Sequence, residues 1–116
     1  MASNGSAENY ICVALYQPSS DDPNLVSNYE ERLILLKATS EVEAKIKSQK
    51  LTTQTHEYKN KEGFTVIWRC IKIVDVSPMV DDSFFDGAQL YSRFFDDLSS
   101  YENFEPHNIN LENINA

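Results

Sequence analysis

The sequence predicts an α+β domain with a four- or five-stranded, mostly antiparallel sheet and one main helix packed on a face, in the order β-β-α-β-β-β. Three observations predict this fold class. A hairpin signal spans residues 52–76, a helix start stands at Ser40, and an apolar run rich in strand formers covers residues 9–17.

The first two strands follow from two apolar runs. Residues 9–17 are apolar almost throughout, which is typical of a central strand that is covered on both faces. Residues 18–23, with the sequence Pro-Ser-Ser-Asp-Asp-Pro, predict a loop. Residues 29–38 hold the second run. A helix is the rival interpretation there, because Glu30 and Glu31 favour helix, but a better helix start follows at once and favours strand.

Ser40 predicts the start of the main helix. Its hydroxyl can cap the helix, and Glu43, three residues later, completes a capping box. Val42 and Ile46 lie four residues apart and therefore predict a narrow apolar stripe on a helix of about three turns.

The hairpin is the strongest local signal. Residues 60–63 (Asn-Lys-Glu-Gly) predict a type I turn closed by Gly63 in a left-handed conformation. In that register, His56 faces Trp68 across the two strands. The alternation of apolar residues breaks near residues 70–72, which predicts a β-bulge there.

The last third of the chain gives weaker signals. Pro78 ends the second strand of the hairpin, and residues 81–87 predict a loop with Gly87 as its turn residue. Residues 88–95 predict a final strand, and residues 96–104 predict a short helix or a loose turn.

The length of 116 residues is typical of one domain. We expect this domain to cover residues 9–105, after a disordered lead over residues 1–8 and before a flexible tail over residues 106–116. The lead has no hydrophobic signal region, and no apolar stretch approaches about 18 residues, so we expect a cytoplasmic protein without a membrane span. Cys12 and Cys70 lie in apolar runs and are expected to be reduced core thiols, with a disulfide between them as the alternative.

Negative charge is concentrated in the last third of the chain. The net charge is −8, and the residues from Ser77 onward hold eight Asp and Glu against the single cation Arg93, which accounts for −7 of it. A nucleic acid or an anionic membrane surface attracts basic proteins, so neither is an expected partner.

Four sequence blocks resemble one known family. They are Tyr10-Ile-Cys-Val-Ala-Leu15, Ala38-Thr-Ser-Glu-Val-Glu-Ala44, Glu57-Tyr-Lys-Asn-Lys-Glu-Gly-Phe-Thr-Val-Ile-Trp-Arg69 and Asp86-Gly-Ala-Gln-Leu-Tyr-Ser-Arg93. Over residues 9–95 the chain is similar to a family of small bacterial proteins catalogued as domain of unknown function 4288. The resemblance implies an α+β domain in bacteria, and it implies no activity.

The motifs that would indicate an enzyme or a cofactor are missing. The acidic run that begins at Asp82 fails as a calcium loop, because Phe84 and Arg93 stand at two ligand positions. The two cysteines and two histidines are dispersed, which excludes a zinc-site spacing, and three glycines are too few for a phosphate-binding loop. We therefore expect no metal, no cofactor and no catalytic residue.

The first functional hypothesis is a non-enzymatic binding module that engages a basic protein, as an inhibitor or an immunity-type protein does. Aromatic side chains can anchor such a partner while carboxylates steer it. The predicted partner-binding residues are Asp81, Asp82, Phe84, Phe85, Asp86, Asp96 and Asp97. The competing interpretation is that the aromatic side chains face inward and the acids keep the domain soluble.

The second hypothesis is a small-ligand-binding or enzymatic domain with a cleft around His56, Glu57, Arg69 and Arg93. Arg93 is expected to be paired with nearby acids, with anion recognition as its alternative role. Homodimerisation through an exposed strand edge is compatible with either hypothesis.

Overall fold

The fold is described by a computed structural model in which residues 6–105 are placed. Its elements in chain order are β1 (Glu8–Ser20), β2 (Glu30–Ala38), α1 (Glu41–Thr52), β3 (His56–Lys59), β4 (Thr65–Pro78) and α2 (Leu98–Phe104). The strands form one antiparallel sheet in the order β2-β1-β4-β3. The α+β class is confirmed, with four strands in the described part of the chain. The tail predicted over residues 106–116 and most of the lead predicted over residues 1–8 lie outside the described residues.

β1 is the central strand, as its continuous apolar run predicts. It pairs with β2 on one side and β4 on the other, and residues 10–14 are buried. Cover on both faces explains why the run does not alternate with polar residues. The strand continues to Ser20, so the loop predicted over residues 18–23 is wrong in its first half. The long β4 carries the pairing past Pro18, which lies opposite Trp68.

The preference for strand over helix at β2 is confirmed. Ile34, Leu36 and Ala38 are turned toward α1 and are half-buried or buried, whereas Leu33 and Leu35 between them are exposed. This period of two is the signature of a strand with one covered face. β2 is also an edge strand of the sheet.

The predicted cap of α1 is confirmed with one change in its bonding. Ser40 Oγ accepts the backbone N–H of Glu43 at 3.1 Å, as the capping box requires. The Glu43 carboxylate, however, reaches one residue further back and accepts both the N–H and the hydroxyl of Thr39, at 3.0 and 3.1 Å. These hydrogen bonds hold the pKa of Glu43 below its usual range.

The apolar stripe predicted for α1 is not its packing face. Val42 and Ile46 are 68% and 48% exposed, whereas Ala44, Ser48 and Thr52 are buried against the sheet. Small side chains let the helix approach β1 closely. The hydroxyls of Ser48 and Thr52 donate to carbonyl oxygens four residues earlier in the helix, so burial leaves them hydrogen-bonded.

The predicted hairpin register is confirmed, since His56 lies opposite Trp68 and the pairing continues to the turn. Gly63 closes that turn at φ +86°, a conformation that glycine adopts without strain. β3 is shorter than the expected strand and begins at His56, because α1 continues through Thr52.

Two irregularities mark the pairing of β4 with β1. The register leaves Ile71 and Val74 without a partner residue on β1. The first of these confirms the bulge predicted near residues 70–72, and the second was not predicted. Both bulged side chains are exposed.

The final strand predicted over residues 88–95 is not formed. The segment after β4 instead crosses the sheet face opposite α1, where Met79 and the half-buried Tyr91 cover Ile11 and Val13. A chain that packs across a face cannot at the same time pair along an edge. The short helix predicted within residues 96–104 is present as α2.

Cys12 and Cys70 form no disulfide, and both lie in the core on the α1 side of the sheet. Cys12 is completely buried, and burial raises the pKa of its thiol. Cys70 is half-buried. Between residues 6 and 105, no helix is both long enough and apolar enough to cross a membrane.

Candidate functional site

The residues predicted to bind a partner lie in the segment that follows β4. Its start is fixed to the sheet, because the Met79 N–H donates to the Asn9 carbonyl at 2.9 Å. Residues 80–90 then form a closed loop, called here the C-terminal loop. At its neck the Asp81 N–H donates to the Gln89 carbonyl at 3.0 Å, and the Gln89 N–H donates to Asp81 Oδ2 at 2.6 Å.

The tip of the C-terminal loop presents two aromatic side chains to solvent. Phe84 is 63% exposed and Phe85 is 57% exposed. Gly87, at φ +90°, turns the chain back toward the neck. Asp82 and Asp86 flank the two rings, and both are exposed. Neither carboxylate forms a hydrogen bond or an ion pair with any residue between 6 and 105.

Two of the predicted partner-binding acids have structural roles. Asp81 closes the neck of the C-terminal loop. Asp97 is the N-cap of α2, where it accepts the Ser100 N–H at 2.8 Å and the hydroxyls of Ser99 and Ser100. These hydrogen bonds, the one from the Ser100 backbone above all, lower the pKa of Asp97. Asp96, next to it, is exposed and makes no such contact in the described chain.

α2 docks on the residues just before it. The Tyr101 ring meets the Phe95 ring edge-on, with centroids 4.8 Å apart. The Arg93 guanidinium lies 5.5 Å from the Phe95 centroid and 5.8 Å from that of Phe104, which is cation–π distance. The next ring, Phe94, is 95% exposed. Arg93 forms no ion pair with an acid anywhere in residues 6–105, so the expected pairing is absent there.

A half-buried network of hydrogen bonds ties the segment that follows β4 to the sheet. The Tyr91 hydroxyl donates to Asp75 Oδ2 at 2.7 Å, and the Ser77 hydroxyl donates to the same oxygen at 2.6 Å. Burial and the Asp75 carboxylate together raise the pKa of Tyr91 to about 12. Burial opposes ionisation of Asp75 as well, but hydrogen bonds from Ser77 and Tyr91 outweigh it and lower the pKa of Asp75.

The four residues of the ligand-cleft hypothesis are distributed over separate places. His56 and Glu57 are exposed on the edge strand β3. Arg69 donates to Ser19 Oγ at 3.1 Å and lines a depression beside α1. Arg93 lines a different depression of about 430 Å³, between β2 and α2. The arrangement therefore offers two separate cations rather than one cleft.

The described part of the chain was also searched for groups of side chains that could hold a metal ion. Within residues 6–105, no three His, Cys, Asp or Glu side chains come together in a way that could hold a metal ion. Of the acids predicted to bind a partner, Asp81 and Asp97 accept local hydrogen bonds, whereas Asp82, Asp86 and Asp96 are exposed to solvent.

Two features of the structure were not predicted from the sequence: the hydrogen bonds to Asp75 and one cation–π contact. Asp75 stands alone between Val74 and Val76, and a single acid inside an apolar strand is the signal that could have pointed to a partner such as Tyr91. The Arg32 guanidinium lies over the Tyr16 ring, 3.9 Å from its centroid. No pattern in the sequence indicated it.

Comparison with known proteins gives one match. Searches of curated proteins and of solved structures returned nothing similar to this chain. The family described as "Domain of unknown function (DUF4288)" matches residues 9–92. This span contains β1 apart from its first residue Glu8, the whole of β2, α1, β3 and β4, and the C-terminal loop, and it ends before Arg93 and α2. The chain therefore belongs to the DUF4288 family of domains of unknown function.

Proposed function

We propose that this chain is a non-enzymatic binding module that engages a basic protein through its acidic and aromatic C-terminal region, in the manner of an inhibitor or an immunity-type protein. The observation that carries the proposal is the outward position of the aromatic side chains. Phe84 and Phe85 stand at the tip of a closed loop, and Phe94 is almost fully exposed.

The exposure of these phenylalanines favours a binding surface over the competing interpretation, in which the acids only keep the domain soluble. If the acids served only as a soluble surface, the aromatic rings between them would be expected in the core. A cluster of large apolar side chains that is rimmed by polar residues is typical of an interaction site. The rings supply buried area on binding, and the neighbouring carboxylates favour a cationic partner.

The geometry divides the predicted contact residues into two groups. Asp82 and Asp86, which flank Phe84 and Phe85, and Asp96, which precedes α2, are the carboxylates that remain available for a partner. Asp81 and Asp97 belong to the proposal as supports, because their oxygens already accept hydrogen bonds from the loop neck and from α2. We place the protein in the cytosol as part of this proposal, since both cysteines are free thiols.

The test compares two variants that lose the same charge. The tagged wild-type chain is used to isolate a partner from the source cells at low salt, and the purified partner is then titrated by calorimetry at several salt concentrations. Asp82→Asn with Asp86→Asn is expected to weaken binding about tenfold and to flatten the salt dependence. Glu57→Gln with Glu62→Gln, on the hairpin, is the matched control and is expected to bind like the wild type. Equal binding by both double variants would contradict the proposal.

The alternative, recognition of a small anionic ligand, is supported by a single observation. Arg93 lies in a depression of about 430 Å³ that Glu31 and Glu105 also line, and it has no ion pair with a described residue. A screen of small carboxylates and phosphates against the wild type and Arg93→Gln tests it. Binding that depends on Arg93 would favour this alternative over the protein partner.

A further inference from the structure

β4 has an open edge that β3 covers only in part. β4 runs over 14 residues, yet β3 pairs only with residues 65–68. On that side, residues 69–78 have no strand neighbour among the residues that the structure describes. β3 cannot extend further along β4, because the residues before it, up to Thr55, form the connection from α1. The main-chain N–H and C=O groups of this stretch that point away from β1 therefore meet no other strand in the described structure and can pair with one.

A groove runs along this open edge. One depression of about 450 Å³ lies beside residues 69–73 of β4, and another of about 370 Å³ lies beside residues 73–76. The two meet at Ile73, so together they follow the edge for about 25 Å. We call this continuous depression the β4–α1 groove.

The outer wall of the β4–α1 groove is one flank of α1. Glu41, Lys45 and Gln49 line one half, and Thr52 and Thr53 line the other. The spacing of four residues places the first three on a single stripe of the helix. The groove thus has a strand edge on one side and a helix on the other, which is the arrangement in which an extended peptide can add to a sheet.

The two halves of the groove differ in charge. In the half near β3, Arg69 and Lys72 line the depression together with three threonines, and no carboxylate is among its lining residues. In the other half, Lys45 is paired with Glu41 at 3.1 Å, and the Asp75 carboxylate, which also lines it, accepts hydrogen bonds from Ser77 and Tyr91. On a chain with a net charge of −8, the first half is therefore a local cationic site.

We propose that the β4–α1 groove binds an extended, acidic segment of another protein, which adds to the sheet as a fifth strand in line with β3. Main-chain hydrogen bonds to residues 70–76 hold the segment, and a carboxylate of the segment lies against Arg69 and Lys72. The exposed side chains of Ile71 and Val74 supply apolar contact beside the edge.

Charge is what makes this edge selective. Bulges and a lysine on an exposed edge discourage indiscriminate strand pairing, and β4 has two bulged residues together with Lys72. A neutral or basic strand has no carboxylate to pair with Arg69 and Lys72. An acidic strand can form main-chain hydrogen bonds with β4 and also pair with these two side chains. This proposal does not depend on the proposed function, because Met79 and Tyr91, which stand on either side of the C-terminal loop, pack on the opposite face of the sheet.

The test uses designed peptides of about eight residues, a length that matches the free edge. The first peptide alternates valine and glutamate and carries a fluorescent label. The second replaces glutamate with lysine, and the third is the first peptide with alternate backbone nitrogens methylated. We expect the first peptide to bind and to shift the NMR amide signals of residues 70–76, and we expect the other two to bind at least about tenfold more weakly.

Variants of the protein check the cationic half of the groove. Arg69→Ala with Lys72→Ala is expected to weaken binding of the valine–glutamate peptide about tenfold. Lys50→Ala with Lys61→Ala removes the same charge from exposed positions outside the groove and should leave binding unchanged. The comparison of methylated and unmethylated peptides uses the wild-type protein, so its result does not depend on whether these variants fold.

Three results would overturn the proposal. The first is equal binding of the methylated peptide, because strand addition requires the main-chain N–H groups. The second is amide shifts confined to residues 80–105, which would place the acidic peptide elsewhere. The third is self-association in analytical ultracentrifugation that is abolished by Arg69→Ala with Lys72→Ala, because the occupant of the groove would then be a second copy of this chain.

Discussion

The Tyr91 hydroxyl donates a hydrogen bond of 2.7 Å to the Asp75 carboxylate, and this contact fastens the C-terminal segment to the sheet. Asp75 lies on β4 opposite Val13, and Tyr91 packs on the small core formed by Ile11, Val13 and Met79. The contact therefore joins a central part of the sheet to the region that presents the exposed phenylalanines.

Tyr91→Phe should destabilise the fold by about 1 kcal/mol, because it removes a hydrogen bond to a charged, half-buried acceptor while keeping the ring. Urea unfolding followed by circular dichroism measures the change. Tyr29→Phe is the matched control, since Tyr29 is exposed and its hydroxyl makes no hydrogen bond in the described structure. An equal change in both variants would show that the contact contributes nothing specific.

The same pair predicts how stability depends on pH. The pKa of Asp75 is lowered in the folded protein, because the hydrogen bonds from Ser77 and Tyr91 outweigh the effect of burial. The contribution of Asp75 to the free energy of unfolding is therefore complete above its ordinary pKa near 4. It is lost as the pH falls through the lowered pKa of the folded protein. The pKa of Tyr91 is raised to about 12, so its contribution is complete below the ordinary pKa near 10 and is lost as the pH rises toward 12.

Unfolding free energies measured across this pH range test both signs. The difference between the wild type and Tyr91→Phe should be constant near neutral pH and should shrink at both extremes. A difference that grows as the pH falls below 4 would contradict the assignment of Asp75 as the acceptor.

Turn and cap chemistry made part of this fold predictable. Gly63 and the residues before it fix the hairpin register through the geometry of a single turn, and Ser40 fixes the start of α1 through one hydrogen bond. These signals act within a few residues, so they can be read without knowledge of the rest of the chain.

Loss of the Ser40 hydroxyl should therefore weaken α1. Ser40→Ala is expected to cost about 1 kcal/mol, because the Glu43 N–H loses its acceptor in the first turn. Ser27→Ala, at an exposed loop position, should leave the free energy of unfolding unchanged. Chemical unfolding gives both numbers, and hydrogen exchange of the Glu43 amide should quicken only in the first variant.

The packing face of α1 and the path of the last third of the chain could not be predicted, because both are set by contacts with residues distant in sequence. Val42 and Ile46 give the more apolar stripe, but Ala44 and Ser48 face the sheet, because the helix can then approach β1 closely. The β4–α1 groove likewise depends on the length of α1, which runs through Thr52, so that β3 begins only at His56 and leaves the rest of β4 unpaired on that side.

The orientation of α1 makes a testable distinction. Val42→Gln with Ile46→Gln should change the free energy of unfolding by less than about 0.5 kcal/mol, because both side chains already face solvent. Ala44→Leu should cost about 1–3 kcal/mol, since a larger side chain has no room between the helix and the sheet. If the double variant proved the less stable of the two, the packing face described here would be wrong.

Among the predicted partner-binding residues, the sequence did not distinguish the structural role of each acid. Asp81, Asp82, Asp96 and Asp97 look alike in the sequence, as two adjacent pairs. In the structure each pair has one capping member and one member exposed to solvent. Which member caps depends on where the loop neck and α2 begin. A short helix or a loose turn was predicted over residues 96–104, but not that it begins at Leu98 with Asp97 as its N-cap.

The exposed rings of the C-terminal loop give the prediction that bears most directly on function. Phe84→Ala with Phe85→Ala should change the free energy of unfolding by less than about 0.5 kcal/mol, because neither ring is part of a core. Met79→Ala, in the same segment, is buried against Ile11 and Val13 and should cost about 2–4 kcal/mol. Natural proteins retain exposed phenylalanines at a cost in solubility, so a double variant that is equally stable and more soluble would agree with a binding role for these rings. A large loss of stability would instead assign them to the core and remove the main support for the proposed protein-binding function.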